Sequence, residues 1–486
     1  MGKPFYITTT LPYVNADPHI GFALEIVQAD CIARYRHLCG DEVFFNTGTD
    51  EHGIKIFRKA YEEGKDPQDY VDGFAERFRN LKEKLDLFSD LHFIRTTDAH
   101  HKAAAQEFWR RCLATGDIYT KNYQVKYCVG CELEKTDSEL VDGKCPLHPT
   151  LEIEFINEEN YFFKFSKYQT SLLDLYARRP DLVVPDFRFN EIKSFVAQGL
   201  EDFSISRRKD KMPWGVPVPG DESQVMYVWF DALINYISTL GWPEDEAAFE
   251  KFWGIIPSPK ALQIAGKDNI RQQAAMWQAM LISANLPSTR QIVIHGFITS
   301  KGQKMSKSLG NVIDPYAIVD EYGTDALRLF LLRHIHPFED SDFTMEKFKE
   351  SYNADLANGL GNQVARIMRL AADNLPGPVT VSDEQITLQP PFKAHLDAYD
   401  YNAACDLIWE NIAKVDAYIQ ETKPFSLVKS EDAAEKEKGI AIIKKLVVHV
   451  AMLATHLEPI IPATAAKMKE AVAANSMPES LFPRKQ

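Results

Sequence analysis

Over its first part the chain switches repeatedly between short β-branched runs and helical periodicity. Residues 5–10 (FYITTT) read as a strand. A loop follows through 11–18, and Ile20, Leu24, Val27, Cys31, Tyr35 and Leu38 then recur at helical spacing. Gly40 stops that helix and residues 43–46 form the next strand. The alternation returns as a strand at 225–230 and a helix at 231–240, a strand at 261–265 and a helix at 270–284, and a strand at 292–294. Such a series predicts an α/β fold with a Rossmann-type parallel sheet, whose ligands sit at the carboxyl ends of the strands. Between 116 and 200 the pattern gives way to short strands and turns, as an insertion would. From Ser351 the chain reads as a helical bundle, broken near Pro376-Gly377-Pro378 and by a charged loop at 431–438. The expected organisation is therefore 1–115 and 201–298 as two halves of the sheet domain, 116–200 as the insertion, 299–352 as a connecting region, and 353–486 as the helical domain.

Composition changes this picture little, with 45% hydrophobic and 26% charged residues. No run is read as long enough to span a membrane, and MGKPFYITTT enters a strand at once, so a cytoplasmic chain without a leader is expected. The net charge of −14 does not exclude an RNA partner, which needs only local basic surface. Arg207-Arg208-Lys209 and Lys301, Lys304 and Lys307 offer such patches. Of seven cysteines, Cys31, Cys39, Cys112 and Cys405 fall in helical patterns and read as packing residues. The other three form paired knuckles, Cys128-Val129-Gly130-Cys131 and Cys145-Pro146-Leu147-His148. Four soft ligands without an open position suit one structural Zn²⁺ that holds a small subdomain together.

Two Gly-flanked elements carry candidate nucleotide chemistry. His19-Ile20-Gly21 opens the first helix, where backbone N–H groups can meet phosphate, and residues 304–308 read KMSKS after the strand 292–294. Together, in this order, they resemble the HIGH and KMSKS motifs of class I aminoacyl-tRNA synthetases. The strings TGTDEHG (47–53) and YVWFDALINY (227–236) narrow the resemblance to the methionyl-tRNA synthetases, and it covers nearly the whole chain. Three positions depart from that pattern: Phe22 replaces the second histidine of HIGH, Gln272-Gln273 stands where Phe-His is usual, and Phe425 stands for a tryptophan.

The resemblance implies activation of methionine by ATP and transfer to the 3′-terminal adenosine of tRNA(Met). It implies a bacterial type with a single zinc knuckle. Catalytic roles would fall to His19, Lys304 and Lys307, and ATP binding to these with Gly21, Gly266 and Asp268, helped by Mg²⁺. A methionine pocket would be formed by Leu11, Tyr13, Asp50, Trp229, Ala232, Tyr236 and His295, with Asp50 the partner of the substrate ammonium. Residues 299–352 would be the KMSKS loop and stem-contact region. Asn362, Arg366 and Phe425 would read the CAU anticodon, the aromatic ring stacking on a base. A chain ending at Gln486 without an appended β-barrel is expected to be a monomer. A catalytically silent RNA-binding relative and a class I synthetase for another amino acid are the competing readings.

Overall fold

The computed structural model describes residues 2–485 apart from Glu132, Thr136 and residues 306–310. The chain forms two compact units that interleave in sequence. The first comprises Met1–Asp17, Glu42–Asn80 and Asp90–Ile294; the second comprises Pro18–Asp41, Leu81–Ser89 and His295–Gln486.

The first unit is built on a six-stranded sheet in the order Leu91–Arg95, Glu42–Thr49, Pro4–Thr9, Leu262–Gly266, Gln291–His295, Val183–Val184. Pro4–Thr9 runs parallel to both its neighbours, with Ile7 opposite Phe45 and Leu262. Its core is aromatic: Phe108 stacks on Trp277 at 5.6 Å, and Phe230 meets both Phe108 and Trp109 edge-on. The segment expected as an insertion does two things. Ile118–Cys128 pairs antiparallel with Glu154–Phe163 from Ile118↔Phe163 to Tyr127↔Glu154, a longer ribbon than its pattern predicts. Helices Gln169–Arg178 and Asp186–Ala197 follow, and Val183–Val184 lies beside Gln291–His295 in the central sheet.

Three local expectations change. The strand of 225–230 is Asp221–Met226, in a separate three-stranded sheet, and Val228–Ala232 is already helical. A short apolar run has the same signature in either state, and this one is buried as helix. Residues 270–284 form a wide π-helical turn, Gln272–Met276, before the helix Trp277–Ser283. Arg207 is no surface cation: it is 5% exposed, donates to Ser204 Oγ at 2.6 Å and covers the Tyr227 ring.

The second unit is mostly helical. The charged stretch at 431–438 is largely the start of the helix Ala433–Leu457, capped by Asp432 Oδ1, which accepts from Ala434 N at 2.8 Å. Alanine, glutamate and lysine are good helix formers, so a solvated charged face does not interrupt it. Against expectation this helix is long and apolar enough to cross a membrane, but 56% of its apolar stretch is buried inside the protein. Cys31, Cys405 and, in the first unit, Cys112 are buried, whereas Cys39 is exposed just after Ile20–Leu38. The largely apolar interior of the second unit holds a buried polar network. Arg328, fully buried, donates to Asp30 Oδ2 at 2.6 Å and to the carbonyls of Leu85, Pro459 and Ile460. Asp30 also receives Phe88 N and Arg34 Nε.

Candidate active site and metal centre

In the first unit the strand Glu42–Thr49 delivers three acidic or basic side chains in a row, each committed differently. Asp50, 9% exposed, is positioned by its backbone: its N–H donates to Pro12 O at 3.0 Å and its carbonyl accepts from Val14 N at 3.2 Å, bridging it to Tyr13. Glu51 is fully buried and held through both oxygens by Arg95 at 2.7 and 2.8 Å. His52 meets Asp231, with Nδ1 2.6 Å from Oδ2. The other Asp231 oxygen lies 2.9 Å from His101 Nε2, and His101 Nδ1 lies 2.9 Å from Ser238 Oγ. Burial alone would raise the Asp231 carboxyl, but the His52 and His101 imidazoles hold it down at about 2. This buried bridge ties the Asp50 loop to the helix that carries Trp229 and Ala232. Pattern reasoning passed over His52, His101 and Asp231; the one available signal was an aspartate inside the apolar run of residues 228–234.

Tyr13 and Trp229 pack on one small cluster, Tyr127, Tyr227 and Val228, joined by Val129. Leu11 and Ala232 are half-buried. Tyr236 is buried, its carbonyl accepting from Tyr6 OH at 2.7 Å and its phenol oxygen from Gln273 Nε2 at 2.5 Å. Gly266 ends its strand in the core and Asp268 is exposed in the turn Lys267–Asn269 just beyond.

The metal cluster lies in the same unit, at the end of the antiparallel ribbon. The donor atoms of Cys128, Cys131, Cys145 and His148 all lie within 4.8 Å of one another. His148 Nδ1 is 3.2 Å from Cys131 Sγ and 3.8 Å from Cys128 Sγ, and Cys131 Sγ is 3.4 Å from Cys145 Sγ. A tetrahedron with roughly 2.3 Å bonds to sulfur has edges of about 3.8 Å, so the set fits a closed zinc site. Burial pushes the Cys131 thiol up to about 12, and its hydrogen bond with Cys145 adds to this. Cys145, though desolvation opposes it, is drawn below its ordinary value by Cys131 and Leu147 N–H. Gly130 is required by close approach, because a Cβ there would stand 2.4 Å from the His148 ring.

In the second unit His19 caps the helix Ile20–Leu38, its Nδ1 accepting from Gly21 N at 3.0 Å. A neutral imidazole accepting at Nδ1 carries its proton on Nε2, a donor suited to phosphate. A Cβ on Gly21 would stand 2.9 Å from His19 Cε1, so the glycine lets the capping ring fold over the helix end. Ile20 N donates to Ile313 O at 3.1 Å, which joins this helix end to the segment after the KMSKS motif. Phe22 is half-buried, its N–H donating to His19 O. Ile298–Ser300 and Gln303–Lys304 form a hairpin whose turn, Lys301-Gly302, is left-handed at both residues, and the KMSKS string starts on its second strand. Lys307 lies outside the described residues. His295 is buried between Glu25 Oε2, at 2.9 Å from its Nε2, and its neighbour's carbonyl.

Farther along, Asn362 is exposed at the start of Asn362–Asn374, and Arg366 is half-buried and paired with Asp416. Phe425, 38% exposed, sits on the separate short helix Pro424–Leu427.

With this geometry in place, the relationships are direct. The family described as tRNA synthetases class I (M) matches residues 5–154 and 148–368. Methionine–tRNA ligase of Nostoc sp. is 40% identical over 95% of this chain and 88% of its own length. That of Thermotoga maritima is 42% identical over 87% and 68%. The fold is also similar to the crystal structure of Mycobacterium tuberculosis methionyl-tRNA synthetase bound by methionyl-adenylate, with a TM-score of 0.89, 36% identity, and coverage of 100% of this chain and 99% of the other. The fold and motifs are thus those of a class I aminoacyl-tRNA synthetase, an enzyme of the ligase type. Within that class the chain belongs to the methionine–tRNA ligase family.

Proposed function

We propose that the chain carries out its family's reaction, joining methionine to tRNA(Met) in two steps. The methionine carboxylate is a nucleophile at neutral pH and attacks the α-phosphorus of ATP. The bond to the β-phosphate oxygen breaks, and pyrophosphate leaves with its electron pair. A hydroxyl of the terminal adenosine then takes the methionyl group and AMP departs. Little acid–base chemistry is needed, so the protein's part is positioning and charge.

Asp50 pairs with the methionine ammonium. Leu11, Tyr13, Trp229, Ala232, Tyr236 and His295 enclose its side chain, a soft thioether against aromatic faces. His19 Nε2–H and the N–H groups at its helix end bind phosphate, Gly266 and Asp268 take part in holding the nucleotide, and Lys304 and Lys307 balance the charge of the departing pyrophosphate. Mg²⁺ bound with ATP supplies further positive charge. Zinc in the Cys128, Cys131, Cys145 and His148 site has a structural role only. Asn362, Arg366 and Phe425 read the CAU anticodon, and the enzyme works as a cytoplasmic monomer.

What carries the methionine assignment is the match to methionine–tRNA ligases over nearly the whole chain, and the geometry that supports it is the His52–Asp231–His101 bridge. It fixes the loop bearing the charged partner to the helix bearing the apolar wall, in one buried network. Pyrophosphate exchange into ATP with each of the twenty amino acids tests the reading. Exchange with methionine alone is expected. Exchange with another amino acid keeps the fold and overturns the pocket. No exchange from folded, zinc-loaded protein makes the chain a silent RNA-binding relative.

A further inference from the structure

In the helical unit, Gln363 and Arg366 lie one turn apart on Asn362–Asn374 and both reach the helix Tyr401–Thr422. Gln363 Nε2 donates to Ile412 O at 2.7 Å, which fixes the register of the two helices, and Arg366 Nη2 donates to Asp416 Oδ1 one turn on. The pair is joined by a single contact, although a guanidinium and a carboxylate can make two. Among the described residues nothing else bonds Arg366 Nη1 or Asp416 Oδ2, and the two side chains remain 31% and 42% exposed. Arg366 Nε is buried without a partner, so the Nη end of the fork is what a ligand can meet. His449, the other basic group that faces Asp416, is pushed down to about 4 by burial and is neutral at physiological pH, which leaves Arg366 as the cation of this carboxylate. Asn362 is exposed on the first helix, and Phe425 follows Asp416 in the chain, past the left-handed Lys423.

This half-open surface therefore offers guanidinium donors beside an oxygen that can only accept. We infer that Asp416 is a specificity-determining residue of the anticodon site: it holds Arg366 through Oδ1 and offers Oδ2 to the exocyclic amino group of an unstacked cytosine, whose O2 and N3 take the guanidinium donors. The pairing edge of cytosine carries two acceptors and then a donor, so it can use the whole set. Uracil sets an N–H between two carbonyls, and in the same pose it brings O4 against the carboxylate and N3–H against the guanidinium. Adenine has a single acceptor beside its amino group. Cytosine is thus selected over uracil by repulsion as well as by attraction. This rests on the assignment of Arg366 and Phe425 to the anticodon, and goes beyond it in naming the carboxylate as a reader and the base it reads.

The test compares kcat/KM for aminoacylation of two tRNA(Met) transcripts that differ only in the first anticodon base, CAU and UAU. Asp416→Asn keeps the shape of the side chain, but its amide can turn either an oxygen or an NH₂ to the base. It is expected to narrow the preference for CAU about 5- to 100-fold, chiefly through a gain with UAU. An equal loss with both transcripts, which is what a pair that merely braces two helices gives, overturns the inference. So does an unmoved ratio in the folded variant. Asp416→Ala replaces the asparagine variant if that one does not fold, and the same narrowing is expected. Failure of the anticodon assignment looks different: Arg366→Ala and Phe425→Ala would then leave the KM of the whole enzyme for the CAU transcript where it was.

Discussion

Asp231 has no solvent and two imidazoles, and this gives stability a definite pH signature. Its carboxyl titrates at about 2, below the ordinary carboxylate range, so the unfolded chain takes up a proton before the folded one does. Its contribution is complete above about pH 4 and is lost as the pH falls toward 2, amounting to about 2 kcal/mol. Urea midpoints of the wild type should fall over that interval by more than those of Asp231→Asn; equal slopes would show that the bridge adds nothing in the folded state. The residue scale is also where the sequence was least legible. Asp50, Trp229 and Tyr236 could be named because the strings that hold them resemble a family. His101 could not, since nothing in a helix beginning Ala99-His100-His101 says which imidazole turns inward. Gln273 could be seen to depart from the family, but its partner, 37 residues earlier in the chain, is set only by the fold.

At the scale of elements, the metal knuckle and the cluster under the proposed pocket wall share a strand. Tyr127 belongs to the cluster under Tyr13 and Trp229, and the next residue is the ligand Cys128. Lys55 Nζ adds a second tie, donating to Gly130 O at 3.1 Å. Gly130→Ala drives a methyl into the His148 ring and is expected to weaken zinc binding by roughly 10- to 100-fold, as loss of support around a metal does. Competition with a chromophoric chelator measures this. The methionine KM should rise more than the ATP KM in the same variant; an unchanged methionine KM with zinc lost would separate knuckle from pocket. The ligand spacing made the knuckle plain in the sequence, because close pairs of ligands are a local feature. Four of the six strands of the sheet were legible for the same reason, through the periodicity of strand and helix, whereas Leu91–Arg95 and Val183–Val184 at its two edges were not. The helix at Val228–Ala232 was not, since a buried apolar run of that length carries no period.

On the scale of the whole molecule, the second unit depends on one guanidinium. Arg328 satisfies Asp30 and three backbone carbonyls in the interior. Removing Arg328 strips Asp30 of its fully buried partner and leaves only Arg34 to balance it, so Arg328→Ala should cost up to about 3–5 kcal/mol. The effect should appear in denaturant unfolding as an early transition of the helical unit, and Arg328→Lys should recover only part of it, lacking the planar fork. A single transition at the wild-type midpoint would remove this role. None of this could be read from sequence, in which Asp30 is one acidic residue on a helix and Arg328 one basic residue on another. Their separation of 298 residues also sets a clock. A ribosome adding about 5–20 residues per second needs roughly 15–60 s to pass from one to the other. Over a delay of that length Asp30 has only Arg34 of its own helix as a charged partner, and a nascent-chain chaperone that shields apolar helices has that long in which to act.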